Sequence, residues 1–454
     1  MAAPHRQMTL VAFLQAQNCS NYPSSWRHVA SAPDFLTAEY YQRIARTLED
    51  GRFHLAFFDD RLAMPDRYGD DFAESVRHGI RVVKMDLVPL MTAMGLATRH
   101  LGIGGTYSTT YYEPFHVARV FATLDHMLGG RAAWNVVTSL NDSEAANFGQ
   151  ATHLDHDARY DRADEFMEAV LGHWDSWEDD AILLDREGRV FADPAKVHRL
   201  GHEGRWFRTR GPFTVPPTPQ GRPVIMQAGQ SGRGRRFAAR WGELLFVVFP
   251  SLAFGRNGYR EVKEEIARAG RDPALVSICP AAYCIVGETR TVAEEQAAYM
   301  EGLIEPIDAL VLLSEVLNYD FAQKGMDDTF SDEELASISG LQAIRDRVVR
   351  LSGKTNPSVR DFIEFSGRGS LREHPRFVGS PKDVADGLEE WFATEACDGF
   401  VLAATHVPGA YEDFVRLVVP ELQRRGLLQR EYAGTTLREN LRLPRAQRGD
   451  WAVG

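Results

Sequence analysis

Short apolar runs alternate with amphipathic helical patterns along almost the whole chain, and this alternation constrains the fold most strongly. Eight runs have the length and composition of buried strands. They are residues 10–13, 54–58, 101–106, 134–137, 224–228, 244–249, 276–286 and 399–403. Helices are predicted at 37–50, 114–128, 157–174 and 381–394. Strand–helix alternation indicates a parallel sheet, and a count near eight favours a closed (β/α)8 TIM barrel over an open doubly wound sheet.

Three segments do not fit a regular strand–helix repeat. Residues 174–223 are rich in proline, glycine and charge, and residues 301–377 carry much polar helix. We interpret both as insertions on the barrel, so that residues 1–454 form a single α/β domain. Residues 427–454 form a C-terminal extension that we expect to pack on a neighbouring molecule.

The composition excludes several classes of partner. The 454 residues are 44% hydrophobic and 25% charged, with a net charge of −12, which disfavours nucleic acid and anionic membranes. No apolar run approaches the roughly 20 residues of a membrane helix, and the N-terminus does not resemble a signal peptide. Four cysteines, Cys19, Cys279, Cys284 and Cys397, are scattered without a metal-binding or disulfide pattern. We therefore predict a cytoplasmic protein.

Polar side chains cluster just after the predicted strands. In a β/α barrel the carboxyl ends of all strands open onto one face, where active sites lie. A threonine at a strand end is more often a local turn former, but the barrel brings the whole set together. The candidates are Asp60, Thr106, Asn135, Thr138, Ser139 and Ser231.

Two features are typical of a phosphate site. The loop from Gly229 through Gln230 and Ser231 to Gly234 joins a strand to a helix, and helix N-termini attract anions. An ordinary glycine-rich connection is an equally good interpretation. His156 and Tyr160 lie four residues apart and so share one helix face. His153, Asp155, His156 and Asp157 invite a metal interpretation, but no remote ligand is evident, and we predict no metal.

Aromatic residues near the strand ends could form the wall of a flat cofactor or substrate pocket. They could equally be core residues, which is the usual role of aromatics. They are Phe13, Phe57, Phe58, Tyr107, Trp134 and Phe249.

Longer stretches of the chain resemble a known enzyme family. They include "ATRHLGIGGTYSTTYYEPFHVARVFATLDHMLGGRAAWNVVTSLNDSEAANFG", "HLDHDARYDRADEFMEAV" and "YAGTTLREN". The chain resembles the bacterial luciferase-like flavin monooxygenases, in the branch that oxidises nitrilotriacetate, long-chain alkanes and dibenzothiophene sulfone. Within this branch, the sulfone monooxygenases are the most similar to this chain in sequence. The resemblance implies a β/α barrel, molecular oxygen, reduced FMN from a separate NAD(P)H-dependent flavin reductase, and a homodimer or homotetramer.

The resemblance also assigns site residues. The family's FMN contacts fall on Asp60, Thr106, His156, Tyr160 and Ser231, with Asp60 and Thr106 near the ring and Tyr160 and Ser231 at the phosphate. Gly229, Gln230 and Thr138 complete the predicted cofactor set. Asn135 and Ser139 are the predicted catalytic residues, and Ser139 would hydrogen-bond the flavin hydroperoxide. The predicted substrate pocket comprises Phe13, Asn21, Phe57 and Phe249.

The chain departs from the sulfone enzymes in two places. They have histidines in the loop after the first strand, where this chain has Asn21 and Pro23. The segment 311–377 also differs, and there we expect a lid over the substrate. We therefore predict a two-component monooxygenase that oxygenates a small apolar or aromatic xenobiotic, by carbon–sulfur cleavage of an aromatic sulfone.

Other functions remain open at this point. Oxidative dehalogenation or hydroxylation of a halogenated aromatic would use the same chemistry. A deazaflavin-dependent hydride-transfer oxidoreductase is an alternative of another class, as are a flavin-binding protein without turnover and a metal hydrolase.

Overall fold

Eight parallel strands close into a barrel. The computed structural model describes residues 6–15, 22–150, 154–229 and 232–452. Its strands are β1 Thr9–Leu14, β2 Leu55–Phe58, β3 Gly102–Ser108, β4 Ala132–Val137, β5 Ile182–Asp185, β6 Val190–Ala192, β7 His202–Glu203, β8 Arg208–Thr209, β9 Val224–Gln227, β10 Leu244–Val247, β11 Ser277–Val286, β12 Arg376–Gly379 and β13 Gly399–Ala403. The ring runs β1-β2-β3-β4-β9-β10-β11-β13 and closes where β13 pairs with β1. The predicted TIM barrel is confirmed, with all eight predicted strands in it.

Helices surround the barrel and fill the insertions. They are α1 Ala38–Asp50, α2 Ala73–His78, α3 Leu87–Leu96, α4 Pro114–Met127, α5 Asp142–Asn147, α6 His156–Trp174, α7 Gly232–Trp241, α8 Leu252–Arg268, α9 Arg290–Glu301, α10 Pro306–Leu317, α11 Asp332–Ser337, α12 Gln342–Ser352, α13 Val359–Ser366, α14 Pro381–Ala393, α15 Gly409–Asp413, α16 Val419–Arg424 and α17 Leu437–Asn440. None of those in the described part of the chain has the length and apolarity of a membrane span.

The barrel has two apolar cores. They are separate because successive side chains along each strand point to opposite faces of the sheet. One set of residues packs inside the barrel, and it includes Val11, Phe13, Leu55, Phe57 and Met226. The residues between them face the helices in a second, larger core. Each barrel strand is therefore buried on both sides, as expected for a parallel sheet, and its runs are continuously apolar.

The short strands outside the barrel were not predicted. In the insertion near 174–223, β5 pairs with β6 and β7 with β8, both antiparallel. Strand β12 joins the far end of β11. These strands have two to four residues, and all of β5 is exposed, so they lack the continuous apolar pattern that identified the barrel strands.

The C-terminal extension packs on its own barrel, while its packing on a neighbouring molecule stays a prediction. Leu437, Leu441 and Leu443 belong to the interior core. Leu437 lies against Gly102, the first residue of β3, and its N–H donates to the carbonyl of Gly130. The extension thus covers the end of the barrel opposite the carboxyl ends of the strands.

A buried ion pair fastens this extension to the barrel. Arg438 donates to both carboxylate oxygens of Glu243, each at 2.9 Å, and the two side chains are only 3% and 12% exposed. The Arg438 guanidinium also donates to the carbonyl of Arg222. Removing one partner of such a pair leaves an uncompensated buried charge.

Replacement of Arg438 by methionine is expected to lower the free energy of unfolding by about 3–5 kcal/mol, because Glu243 would remain buried without its partner. Urea denaturation measures this. The matched control is Arg445→Met in the same extension, whose pair with Asp179 is 39% and 58% exposed. Arg445→Met should lower the free energy of unfolding by less than about 1 kcal/mol. Equal losses in the two variants would contradict this account of the extension.

Candidate functional site

Aromatic rings form a flat layer near the carboxyl ends of β1, β2 and β10. The rings of Phe13 and Phe57 are stacked, with centroids 5.3 Å apart and planes 8° from parallel. The Phe246 ring lies 5.3 Å from Phe13 and 6.2 Å from Phe57. These three rings provide an apolar surface inside the barrel, next to the predicted polar residues.

Phe249 does not belong to this layer, although the sequence grouped it with Phe13 and Phe57. Its ring packs outside the barrel, against Gly258 of α8 and 5.9 Å from the Phe254 ring. The aromatic residue of β10 that faces inward is Phe246, which the sequence analysis missed. Side chains two residues apart in a strand point to the same face, a rule that we call strand parity. Phe246 lies two residues beyond the inward-facing Leu244, so strand parity identifies Phe246 as inward-facing.

Thr106 and Asn135 form a hydrogen-bonded pair on adjacent strands. The Thr106 hydroxyl donates to the carbonyl of Phe58 at 2.8 Å, and Asn135 Nδ2 donates to Thr106 Oγ1 at 2.8 Å. Asn135 is only 2% exposed, yet its Oδ1 has no hydrogen-bond partner among the described residues. A buried acceptor left in this state is costly unless a bound group donates to it.

Ser139 lies just beyond β4 and contacts the end of β3. Its hydroxyl donates to Ser108 Oγ at 3.0 Å, and its carbonyl accepts from Arg159 Nη1 at 2.7 Å. Thr138, beside it, is half-buried. The structure thus places Asn135, Thr138 and Ser139 on one edge of the barrel mouth, and their catalytic and cofactor roles remain predictions.

Tyr160 and Gly229 meet at the position predicted for a phosphate. A β-carbon built on Gly229 would lie 2.8 Å from the Tyr160 hydroxyl and 2.6 Å from Gln227 Nε2. Only glycine therefore leaves room for this approach. Helix α7 begins three residues later, at Gly232, and its first turn contains no acidic residue. The predicted contacts Gln230 and Ser231, like Asn21 of the substrate pocket, lie outside the described residues.

The other charged groups near this loop are engaged with each other. Arg233 pairs with Asp161 at 3.1 Å and with Asp164, so its charge is already compensated rather than free for an anion. His156 is about half exposed, and its Nδ1 lies 2.8 Å from the carboxylate of Asp157. Its ring centroid is 5.2 Å from that of Tyr160. The shared helix face of His156 and Tyr160 is thus observed.

Asp60 lines a cavity of about 390 Å³, together with other residues of the loop that follows β2. Three basic side chains, Arg61, Arg81 and Lys84, line the same cavity. Burial raises the pKa of Asp60 to about 7, although Lys84 and the N–H of Arg61 favour its ionised form. Burial therefore favours the protonated form of the Asp60 carboxyl group.

A polar residue that the sequence analysis missed, Gln15, lies next to Asp59. Gln15 follows β1 and donates from Nε2 to Asp59 Oδ2 at 2.9 Å. The other carboxylate oxygen of Asp59 lies 3.5 Å from Lys84 Nζ. Gln15 and Asp59 each follow an inward-facing phenylalanine by two residues, so strand parity places them on the inner side, above Phe13 and Phe57.

Helix α10 of the second insertion supports the loops of the mouth. Asp308 accepts from Ser24 and Arg27, in the segment after β1. Glu315 accepts from Asn141 Nδ2 at 2.9 Å and pairs with Arg61 at 3.4 Å. Residues Asp308–Leu317 are all buried. Helix α10 is thus a buried brace, and the lid over residues 311–377 stays a prediction.

No group of three or more histidine, cysteine or acidic side chains positioned for a metal occurs within residues 6–15, 22–150, 154–229 and 232–452. His153, part of the metal interpretation, lies outside these ranges. Cys279, Cys284 and Cys397 are buried thiols.

Known proteins resemble this chain over nearly its whole length. Residues 13–398 match the sequence profile of the family described as luciferase-like monooxygenase. The chain is 44% identical over 452 residues to the dibenzothiophene-sulfone monooxygenase of Rhodococcus erythropolis, covering 97% of this chain and 98% of that protein. It is 37% identical over 448 residues to nitrilotriacetate monooxygenase component A of Aminobacter aminovorans, covering 97% of each.

A solved structure supports the same assignment. The chain superposes on riboflavin lyase, solved with modified FMN and the substrate riboflavin, with a TM-score of 0.87 at 32% identity. The match covers 96% of this chain and 95% of that chain. The family resemblance inferred from the sequence is confirmed.

The raised pKa of Asp60 predicts a distinct pH dependence of stability. A carboxyl group with a raised folded-state pKa stabilises the fold fully below its unfolded pKa of about 3.9 and loses that contribution as pH rises through about 7. The variant Asp60→Asn lacks this titration. Its stability relative to the wild type should therefore increase between about pH 5 and about pH 8, as urea denaturation at both pH values would show. Parallel pH profiles of the two proteins would refute the assignment.

Proposed function

Because the chain belongs to the luciferase-like monooxygenase family, we propose that it is the oxygenating component of a two-component system. The protein is an oxidoreductase, since relatives that match it over nearly the full length are named as monooxygenases, including the two reported above. In our proposal, a separate NAD(P)H-dependent flavin reductase supplies reduced FMN, and molecular oxygen is the second substrate. A relative named as a component A supports this division of labour.

The residues of the barrel mouth fit FMN. The stacked pair Phe13 and Phe57 offers a flat apolar surface for an aromatic ring system. Oδ1 of Asn135, which has no hydrogen-bond partner among the described residues, can accept a hydrogen bond from a ring N–H. The Tyr160 hydroxyl beside Gly229, close to the start of α7, can hold the phosphate. The orphaned acceptor of Asn135 is the observation that carries the proposal, because it needs a bound donor.

Bound reduced FMN would supply the two electrons for oxygen activation, and the chain's own residues would control the surroundings. Thr106 fixes the orientation of the Asn135 amide through the hydrogen bond between them. Ser139 holds a hydroxyl at the edge of the site, oriented by Ser108 and by the contact of Arg159 with its carbonyl. The aromatic layer excludes water from the reacting atoms, which favours oxygen transfer over release of hydrogen peroxide.

We propose an aromatic sulfone as substrate, with cleavage of a carbon–sulfur bond. The 44% identical relative is named for such a sulfone, and the three-ring layer of Phe13, Phe57 and Phe246 suits an aromatic molecule. Oxidative dehalogenation or hydroxylation of a halogenated aromatic is the second candidate, because the resemblance implies histidines in the sulfone enzymes where this chain has Asn21 and Pro23. The comparisons do not favour the deazaflavin alternative, since the 44% and 37% identical relatives are both named as monooxygenases.

Gly229→Ala is expected to weaken FMN binding by about tenfold or more, because the added methyl displaces the Tyr160 hydroxyl. The matched control is Gly232→Ala at the first residue of α7, where an added β-carbon has no neighbour within 4 Å among the described atoms. Fluorescence titration with FMN gives both affinities. An unchanged affinity in Gly229→Ala would place the phosphate elsewhere.

An oxygen-labelling assay tests the reaction itself. Purified protein, FMN, a flavin reductase and NADH are supplied with labelled oxygen and either dibenzothiophene sulfone or a halogenated phenol. The proposal predicts label in a ring-opened sulfone product. In Ser139→Ala, we expect product formation to fall on the order of tenfold, with hydrogen peroxide rising in its place.

The outcomes separate the two candidate substrates. Label in a phenolic product with release of halide would support the second candidate against the first. Hydrogen peroxide alone with every substrate would contradict both substrates while leaving the use of reduced FMN in place.

A further inference from the structure

The hairpin of β5 and β6, residues 182–192, presents large apolar side chains to solvent. Their exposed fractions lie between 39% and 65%, and the residues are Ile182, Leu183, Leu184, Val190 and Phe191. Successive residues of a strand point to opposite faces, so both faces of this two-stranded ribbon are uncovered. No other stretch of this length in the described part of the chain carries as many exposed large apolar side chains.

This exposure does not come from a loose attachment of the hairpin. At its root, Ala181 is fully buried, and its carbonyl accepts from the N–H of Asp193 at 2.8 Å. The indole N–H of Trp177 donates to the carbonyl of Phe213, also at 2.8 Å. The root is therefore fixed on the rest of the insertion, while the apolar side chains of the hairpin stay outside both cores of the barrel.

One of the exposed residues also has a strained backbone. Leu184 has a φ of 50°, in the left-handed region, and lies where the register between β5 and β6 shifts. A bulky side chain rarely adopts this conformation, and a β-bulge of this kind re-aims the side chain that it carries. In water the isolated chain gains nothing from a strained, exposed leucine, whereas a protein surface that buries the leucine offsets the strain.

The backbone of the hairpin is open as well. The two strands form a sheet of their own, so each has an outer edge of backbone N–H and C=O groups without a neighbouring strand. A two-stranded hairpin alone is only marginally stable in water. Apolar faces together with open edges indicate that another protein surface covers this hairpin.

The apolar character of the hairpin favours a permanent partner. Obligate interfaces are more hydrophobic than transient ones, and most permanent complexes of soluble proteins are symmetric assemblies of one chain. A reductase that binds only to deliver reduced flavin would leave the hairpin uncovered between encounters.

The charges at the tip of the hairpin fit a second copy of this chain. The turn carries two acidic and two basic residues, all exposed, which are Asp185, Arg186, Glu187 and Arg189. Across a two-fold axis the same surface faces itself, so the bases of one copy can meet the acids of the other. The tip has no net charge, so two copies do not repel there, although each chain carries a net charge of −12.

We propose that residues 182–192 form an arm through which two copies of this chain associate about a two-fold axis, burying Leu183, Leu184 and Phe191 in the contact. The family resemblance implies an oligomer without assigning a surface to it, and this surface follows from the exposure, strain and charge of the hairpin. The association does not depend on the function proposed above.

Analytical ultracentrifugation of the purified protein over a range of concentrations measures the association. We expect the wild type to sediment as a dimer or as a larger assembly built from that dimer. The double variant Leu184→Glu/Phe191→Glu places carboxylates in the apolar contact. It should raise the dissociation constant of the dimer about a hundredfold or more, while circular dichroism shows an unchanged fold.

The matched control is the double variant Leu351→Glu/Phe254→Glu, since these residues are 50% and 49% exposed but lie on α12 and α8. It should sediment as the wild type does. If the test variant does not fold, hydrogen exchange of the wild type replaces it. The amides of residues 182–192 should then exchange more slowly at high than at low protein concentration.

A monomeric wild type would overturn the proposal, and so would an unchanged dissociation constant in the folded test variant. Hydrogen exchange of the hairpin that does not depend on concentration would overturn it too. If a monomeric wild type bound a flavin reductase and the test variant did not, the hairpin would belong to the reductase contact instead. The function proposed above would stand in each case.

Discussion

The pairing of β13 with β1 is the constraint on which the rest of the structure depends. It closes the sheet into a ring, so the carboxyl ends of strands separated by up to nearly 400 residues open onto one mouth. Closure also defines an inside and an outside for every strand. The inner residues near the mouth then include an apolar layer, Phe13, Phe57 and Phe246, and polar groups such as Thr106 and Asn135.

Polar groups at this mouth are supported from outside the barrel. Glu315 of α10 contacts the loops after β2 and β4, and Asp308 of the same helix contacts the segment after β1. Buried carboxylates that join several loops fix their relative positions, because each contact is costly to break in a low-dielectric setting. The insertion therefore contributes to the shape of the site, while the C-terminal extension closes the opposite end through Leu437 and Arg438.

The sequence predicted the barrel well because burial on both sides leaves a strong, continuous apolar signal in each strand. All eight barrel strands were found, and strand ends identified Thr106, Asn135 and Ser139 as neighbours. The exposed hairpins of the first insertion carry no such signal. The assignment of Phe249 failed because apolar runs do not mark which face a ring takes, and only strand parity distinguishes Phe246 from Phe249. Lys84 lies in irregular chain between α2 and α3, so only the fold brings it to Asp59.

The central claim is that FMN lies across this mouth in one orientation, with its ring over the stacked phenylalanines and its phosphate at the Tyr160 end. A crystal structure of the protein with FMN tests it most directly. The account predicts electron density for the ring above Phe13 and Phe57, a ring N–H within hydrogen-bonding distance of Asn135 Oδ1, and the phosphate beside Tyr160 and Gly229. Density for the flavin outside the mouth, or with the phosphate near Asp59 and Lys84, would contradict it.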